Sequence, residues 1–178
     1  MPLEKLDDLA DPNSFLYNEV AYKCGSPYLE ASDFARDWKP EFNKDINGPG
    51  DVDSVRVISV MGMHKVKITI GKETRVWLLD SGASDLLISD EFLKLLKQQG
   101  IVGEMNFAGE GRYRLADNSI ITCRRYKINN VLIGRFRVDN VIIASSKATK
   151  EFLVGKSLLN KFSQWVLDNQ NNWLILKK

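Results

Sequence analysis

The residues best suited to chemistry lie in one segment, Trp77-Leu78-Leu79-Asp80-Ser81-Gly82-Ala83-Ser84-Asp85-Leu86-Leu87. A carboxylate follows the apolar run Val76–Leu79 and is joined at once to a small hydroxyl and a glycine. Taking a carboxylate out of water is costly unless donors meet it. The amides that follow Asp80, and the Ser84 hydroxyl, are the nearest candidates. Gly82 lets the main chain approach the carboxylate, and Ser81 can bond across to another chain. A group held this way can do acid–base work, taking a proton as carboxylate and giving one as acid. Asp-Ser-Gly is also a common turn tripeptide, and the three residues alone do not separate the two readings.

Other chemistries have less to build on. The chain has one histidine, His64, so a two-histidine metal site is impossible. Ser81 as a nucleophile would need His64 as its base, and His64 beside Lys65 at an expected hairpin end suits a surface position. Cys24 and Cys123 cannot form a disulfide framework or a multi-cysteine zinc site. Cys123, within an expected strand, reads as a small core residue. Phe107-Ala108-Gly109-Glu110-Gly111 lacks the Lys-Ser/Thr pair of a phosphate loop. The basic group Arg112, Arg114, Arg124, Arg125 and Lys127 reads as a solvated strand face, or as a surface that draws polyanions. Its only aromatic companions are Tyr113 and Tyr126, which is thin support for base stacking. Neither a metal nor an organic cofactor is expected, and nucleic acid is not an expected partner.

The 178 residues are 44% hydrophobic and 27% charged, the composition of a globular protein. No apolar run reaches the length of a membrane span. Met1-Pro2-Leu3-Glu4-Lys5 lacks the pattern of a secretory leader, and no compartment follows from it. The net charge of +2 hides a division: residues 1–54 carry five Lys/Arg against twelve Asp/Glu, and the rest twenty against eleven. An acidic arm before a basic body suits docking by long-range attraction, or two ordinary solvated surfaces.

Residues 3–38 read as short helices. Asn47-Gly48-Pro49-Gly50 reads as a turn or hinge, which puts an acidic helical arm and linker at 1–54 and a second domain at 55–178. From Val55 the hydrophobic period changes to two. Val66, Ile68 and Ile70 alternate with polar residues, and Val76–Leu79 is continuous, as in a strand buried on both faces. Ser89 reads as the cap of a helix carrying Phe92, Leu93, Leu95 and Leu96 and ending near Gly100. Tyr113–Leu115 and Ile120–Tyr126 flank a hairpin tip, Ala116-Asp117-Asn118-Ser119. A short helix is expected over Lys156–Phe162, then a hairpin about Asn169–Asn172. Many short strands with one or two brief helices indicate a mainly β, barrel-like domain.

Two motifs in fixed order give this domain a family likeness. Leu78-Leu79-Asp80-Ser81-Gly82-Ala83 has the pattern apolar-apolar-Asp-Ser/Thr-Gly-Ala, and Leu153-Val154-Gly155-Lys156-Ser157-Leu158-Leu159 has two apolar residues, Gly, a polar pair and Leu-Leu. Over roughly 55–178 the chain resembles the retropepsin-like aspartic proteases, of the retroviral and bacterial single-domain kind. The resemblance implies an acid-protease barrel, with Asp80 catalytic and Ser81, Gly82, Ala83 and Ser84 shaping its loop. Arg112–Arg125 sits where the family has a flap hairpin. Asp85 and the flap residues Leu115, Ala116, Asp117 and Asn118 are then expected at the substrate. Ser84 and Lys156 replace the Asp and Arg that pair in retroviral members, and the flap tip lacks their glycines.

Hydrolysis of a peptide by water needs two carboxylates facing one water with one proton between them, the protease dyad that serves as the standard case of like charges that cannot both ionise. The chain holds one Asp-Ser/Thr-Gly. Asp168 follows Val166-Leu167 but precedes Asn169, so it is no second copy. The expectation is a homodimeric aspartic endopeptidase with Asp80 from each protomer, acting on a peptide or protein substrate. The alternatives are an inactive binding or dimerisation module on the same fold, and a basic binder of polyanions or membrane surfaces.

Overall fold

The computed structural model describes residues 44–115, 117–147 and 151–178; the helices expected over 3–38 lie outside them. The chain divides into two units, Met1–Glu41 and Phe42–Lys178, and every described residue belongs to the second.

Fourteen strands and two α-helices are formed by the described residues. The strands are β1 (Ile46–Asn47), β2 (Val52–Arg56), β3 (Ile58–Val60), β4 (Met63–Ile70), β5 (Glu73–Leu79) and β6 (Leu86–Ser89), then β7 (Phe107–Arg114), β8 (Ile120–Ile128), β9 (Val131–Ile133) and β10 (Phe136–Val138). They end with β11 (Val141–Ser146), β12 (Leu153–Val154), β13 (Gln164–Asp168) and β14 (Trp173–Lys177). Helix α1 is Asp90–Gln98 and α2 is Lys156–Leu159. The large sheet runs β1-β10-β9-β4-β5-β12-β6-β11-β8-β7 with β3 on β4, and a small sheet runs β13-β14-β2.

Alternation explains the long strands: Val66, Ile68 and Ile70 on β4 are buried while Lys67 between them is exposed. Helix α1 begins where the sequence indicates. The Ser89 hydroxyl accepts from the Phe92 amide at 3.2 Å. Asp90 and Glu91 fill the first turn, and Phe92, Leu93 and Leu96 are buried.

Three expectations change. The run Val76–Leu79 is not buried on both faces: Trp77 is wholly buried but Val76 is 43% exposed. β5 turns one face to the core and the other outward. The helix expected over Lys156–Phe162 closes at Leu159, although Phe162 is still buried. Residues 46–56, read as mostly hinge and linker, supply strands: β1 pairs with β10 and β2 with β14. Their partners lie far along the chain, so local turn residues dominate the sequence signal.

Trp77 on β5, Phe92 on α1 and Phe152 just before β12 form an aromatic cluster, with ring centroids 5.1–6.4 Å apart. It packs the end of β5 against the segment that crosses behind it. No helix among the described residues is long and apolar enough to cross a membrane.

Candidate active site

Asp80 leaves the end of β5 at the point where β12 lies between β5 and β6. β12 pairs parallel with β5, Leu153 with Leu78 and Val154 with Leu79, and antiparallel with β6 at Leu87. The Asp80 amide donates to the Val154 carbonyl at 3.0 Å and the Leu78 amide to that of Phe152 at 2.8 Å. The loop after Asp80 is pinned from the same side. The Lys156 amide donates to the Ala83 carbonyl at 2.9 Å, and the Ser157 amide to that of Ser84 at 2.8 Å. The Ser157 hydroxyl donates to the Ile142 carbonyl at 2.8 Å and accepts from the Leu86 amide at 3.2 Å, joining β11 to β6. The two motifs are thus one structural unit, and Ser157 does more in it than its place in a polar pair indicates.

Within the loop, Gly82 donates its amide to Asp80 Oδ1 at 2.8 Å, and the Ala83 amide reaches the Asp80 carbonyl at 3.2 Å. A Cβ on Gly82 would stand 3.1 Å from Asp80 Oδ1, so glycine is what permits this close approach. Asp80 is half-buried and Ser81 and Gly82 are exposed. Among the described residues the donor to the Asp80 carboxylate is this backbone amide; Ser84, expected to help, contributes its carbonyl to Ser157 instead.

The expected hairpin is present as β7 and β8, paired Arg114 with Ile120 through Glu110 with Arg124. Its tip closes by Leu115 and Ser119, amide to carbonyl at 2.8 Å, with Asn118 at φ 66°. Asp117 accepts from the Ser119 amide and hydroxyl at 2.9 and 2.6 Å, which holds its carboxyl below the usual range. Ala116 lies outside the described residues.

Asp85, expected at the substrate, is instead 6% exposed and engaged by the hairpin. Its Oδ2 accepts from the Tyr113 hydroxyl and, at 3.0 Å, from Arg125 Nε. Burial first, and then the Asp85 carboxylate, push the Tyr113 phenol well above its ordinary value. These partners lie 28 and 40 residues from Asp85, and no local pattern announces them.

The remaining candidates stand apart. His64 Nδ1 lies 3.1 Å from the Ser59 hydroxyl. Cys123 is buried, and burial raises its thiol to about 11. No three His, Cys, Asp or Glu side chains among the described residues are grouped to hold a metal. A groove of about 410 Å³ between Val55, Ile58, Lys67, Thr69 and Leu132 takes no lining from the Asp80 loop or the hairpin.

A mainly β fold in which a late strand crosses behind an Asp-Ser-Gly loop defines an acid-protease domain of retropepsin-like architecture. The chain belongs to the aspartyl protease family: the family model described as "Aspartyl protease" matches residues 65–158, which span the loop, the hairpin and the crossing segment. The crystal structure of a retropepsin-like aspartic protease from Rickettsia conorii is similar to this one, with a TM-score of 0.52 and 20% identity over 73% of this chain and 94% of that one. At that identity the likeness speaks for the fold. No curated protein matches.

Proposed function

We propose that the protein is an aspartic endopeptidase whose dyad is Asp80 from each of two identical chains. One observation carries the reading: the chain has a single Asp-Ser-Gly, and its carboxylate sits half-buried on a loop pinned from behind by the buried pair Val154 and Gly155 and the residues after them. A lone carboxylate of this kind is half a catalyst, and a two-fold axis through the site supplies the other half. One Asp80, ionised, takes a proton from water. The other, protonated, donates to the scissile carbonyl and then helps the amine leave. Ser81, exposed beside Asp80, is available to bond across the axis. The β7–β8 hairpin serves as a flap over an extended peptide, which adds to it as a strand. Leu115, Ala116, Asp117 and Asn118 then contact the substrate backbone.

Asp80→Asn tests this. Asn keeps the shape and can still accept from Gly82, but it cannot act as a base. Cleavage of an unstructured protein should fall about a thousandfold while the melting curve stays in place. Activity retained in a clean preparation of the variant would overturn the assignment. A wild-type dimer that binds peptides without cutting them would favour the inactive module.

A further inference from the structure

The Asp85 cluster has no part in bond-making, yet it links the two parts that the proposed reaction must bring together. Asp85 belongs to the loop that follows Asp80, and its carbonyl is packed against Gly155, where a Cβ would come within 2.3 Å of it. Tyr113 lies on β7 two residues from the hairpin tip, and Arg125 lies on β8 in the stem. Both donate to the same carboxylate oxygen. Gly111 makes the convergence possible. A Cβ there would stand 2.7 Å from Arg125 Cδ and 2.9 Å from the Tyr113 ring and hydroxyl, so Tyr113 lies back over Gly111 towards the stem. A buried carboxylate with two donors from the hairpin gives far stronger coupling than a surface ion pair.

We infer that Asp85, Tyr113 and Arg125 are positioning residues: they clamp the flap stem to the catalytic loop and hold the flap in its substrate-binding conformation before substrate arrives. The inference rests on the reading of Asp80 as catalytic and of β7–β8 as the flap. A flap that must be ordered at each encounter weakens apparent affinity by the fraction of time it is competent. Loosening the clamp therefore raises KM and leaves kcat, set at Asp80, nearly unchanged.

Tyr113→Phe removes one hydroxyl and keeps the ring over Gly111, so it tests the clamp with little threat to folding; Asp85→Ala removes the acceptor that Tyr113 and Arg125 share. Each should raise KM about tenfold, the scale of losing one hydrogen bond to a charged group, with kcat within about twofold. The double variant should be no worse than the more damaged single one, because both remove the same link. Hydrogen exchange in the free protein should rise about tenfold at residues 107–128 and stay unchanged at the α1 amides. Unchanged hairpin exchange in Tyr113→Phe would overturn the inference, as would additive losses or a fall in kcat at constant KM. Exchange is read without substrate. If Asp80→Asn stays active the catalytic reading fails, while the clamp is still judged by its own measurement.

Discussion

Gly155 constrains the candidate site from behind. Its backbone is ordinary, with φ at −106°, so the demand for glycine is one of space. A methyl group there would sit 2.3 Å from the Asp85 carbonyl oxygen and 2.8 Å from that of Ala83. Gly155→Ala must push the loop off the crossing segment, at a cost of about 1–3 kcal/mol. Urea midpoints should fall accordingly, and turnover should fall by more than stability explains, because the loop that moves carries Asp80. A variant with normal turnover would show that the loop tolerates the shift. The geometry of the loop at Asp80, Ser81 and Gly82 is legible in the sequence because the residues that shape it are adjacent. The partners of Asp85 are not, because Tyr113 and Arg125 are brought to it by sheet pairing.

Among the elements, one buried carboxylate helps to join the two sheets. Asp53 on β2 is 7% exposed and accepts from the Arg135 amide at 2.6 Å and from Arg135 Nε at 2.8 Å. Gly134, at φ 57°, makes room for it, since a Cβ would fall 2.1 Å from Asp53 Oδ2. The small sheet is thereby tied to the β9–β10 turn. Burial alone would raise the Asp53 carboxyl, but the Arg135 amide and guanidinium outweigh it and hold it below the usual range. A depressed folded pKa means that the stabilisation is complete above the unfolded value, about 3.9, and is lost as pH falls through the folded one. Urea midpoints should decline from about pH 4 downward, and Asp53→Asn should lower the neutral plateau and flatten that acid limb. An identical acid limb in the variant would place the sensitivity elsewhere. Gly134→Ala should cost about 1–3 kcal/mol at neutral pH through strain and the lost bond. The α1 boundary is readable because a cap is local: Ser89, Asp90 and Phe92 suffice. β1 and β2 are not, because Gly48-Pro49-Gly50 reads as a hinge while the partners, β10 and β14, lie more than eighty residues on.

For the whole molecule the proposed dyad makes activity a property of two chains. Specific activity should fall on dilution through the dimer constant, and its pH profile should be bell-shaped, with two apparent values that belong to the pair. Sedimentation and turnover measured on the same dilution series check this, and a specific activity flat well below the dimer constant would rule out a shared site. The placement of β12 bears on synthesis as well. Asp80 and its loop are held by Val154, Lys156 and Ser157, so the loop has no frame until the ribosome has delivered residues more than seventy positions downstream. Contacts this far apart close late and slowly. On the proposed reading, a nascent chain carries its Asp80-Ser81-Gly82 with no assembled site around it until residues 154–157 have emerged, and so stays inert towards its neighbours on a crowded polysome over that interval.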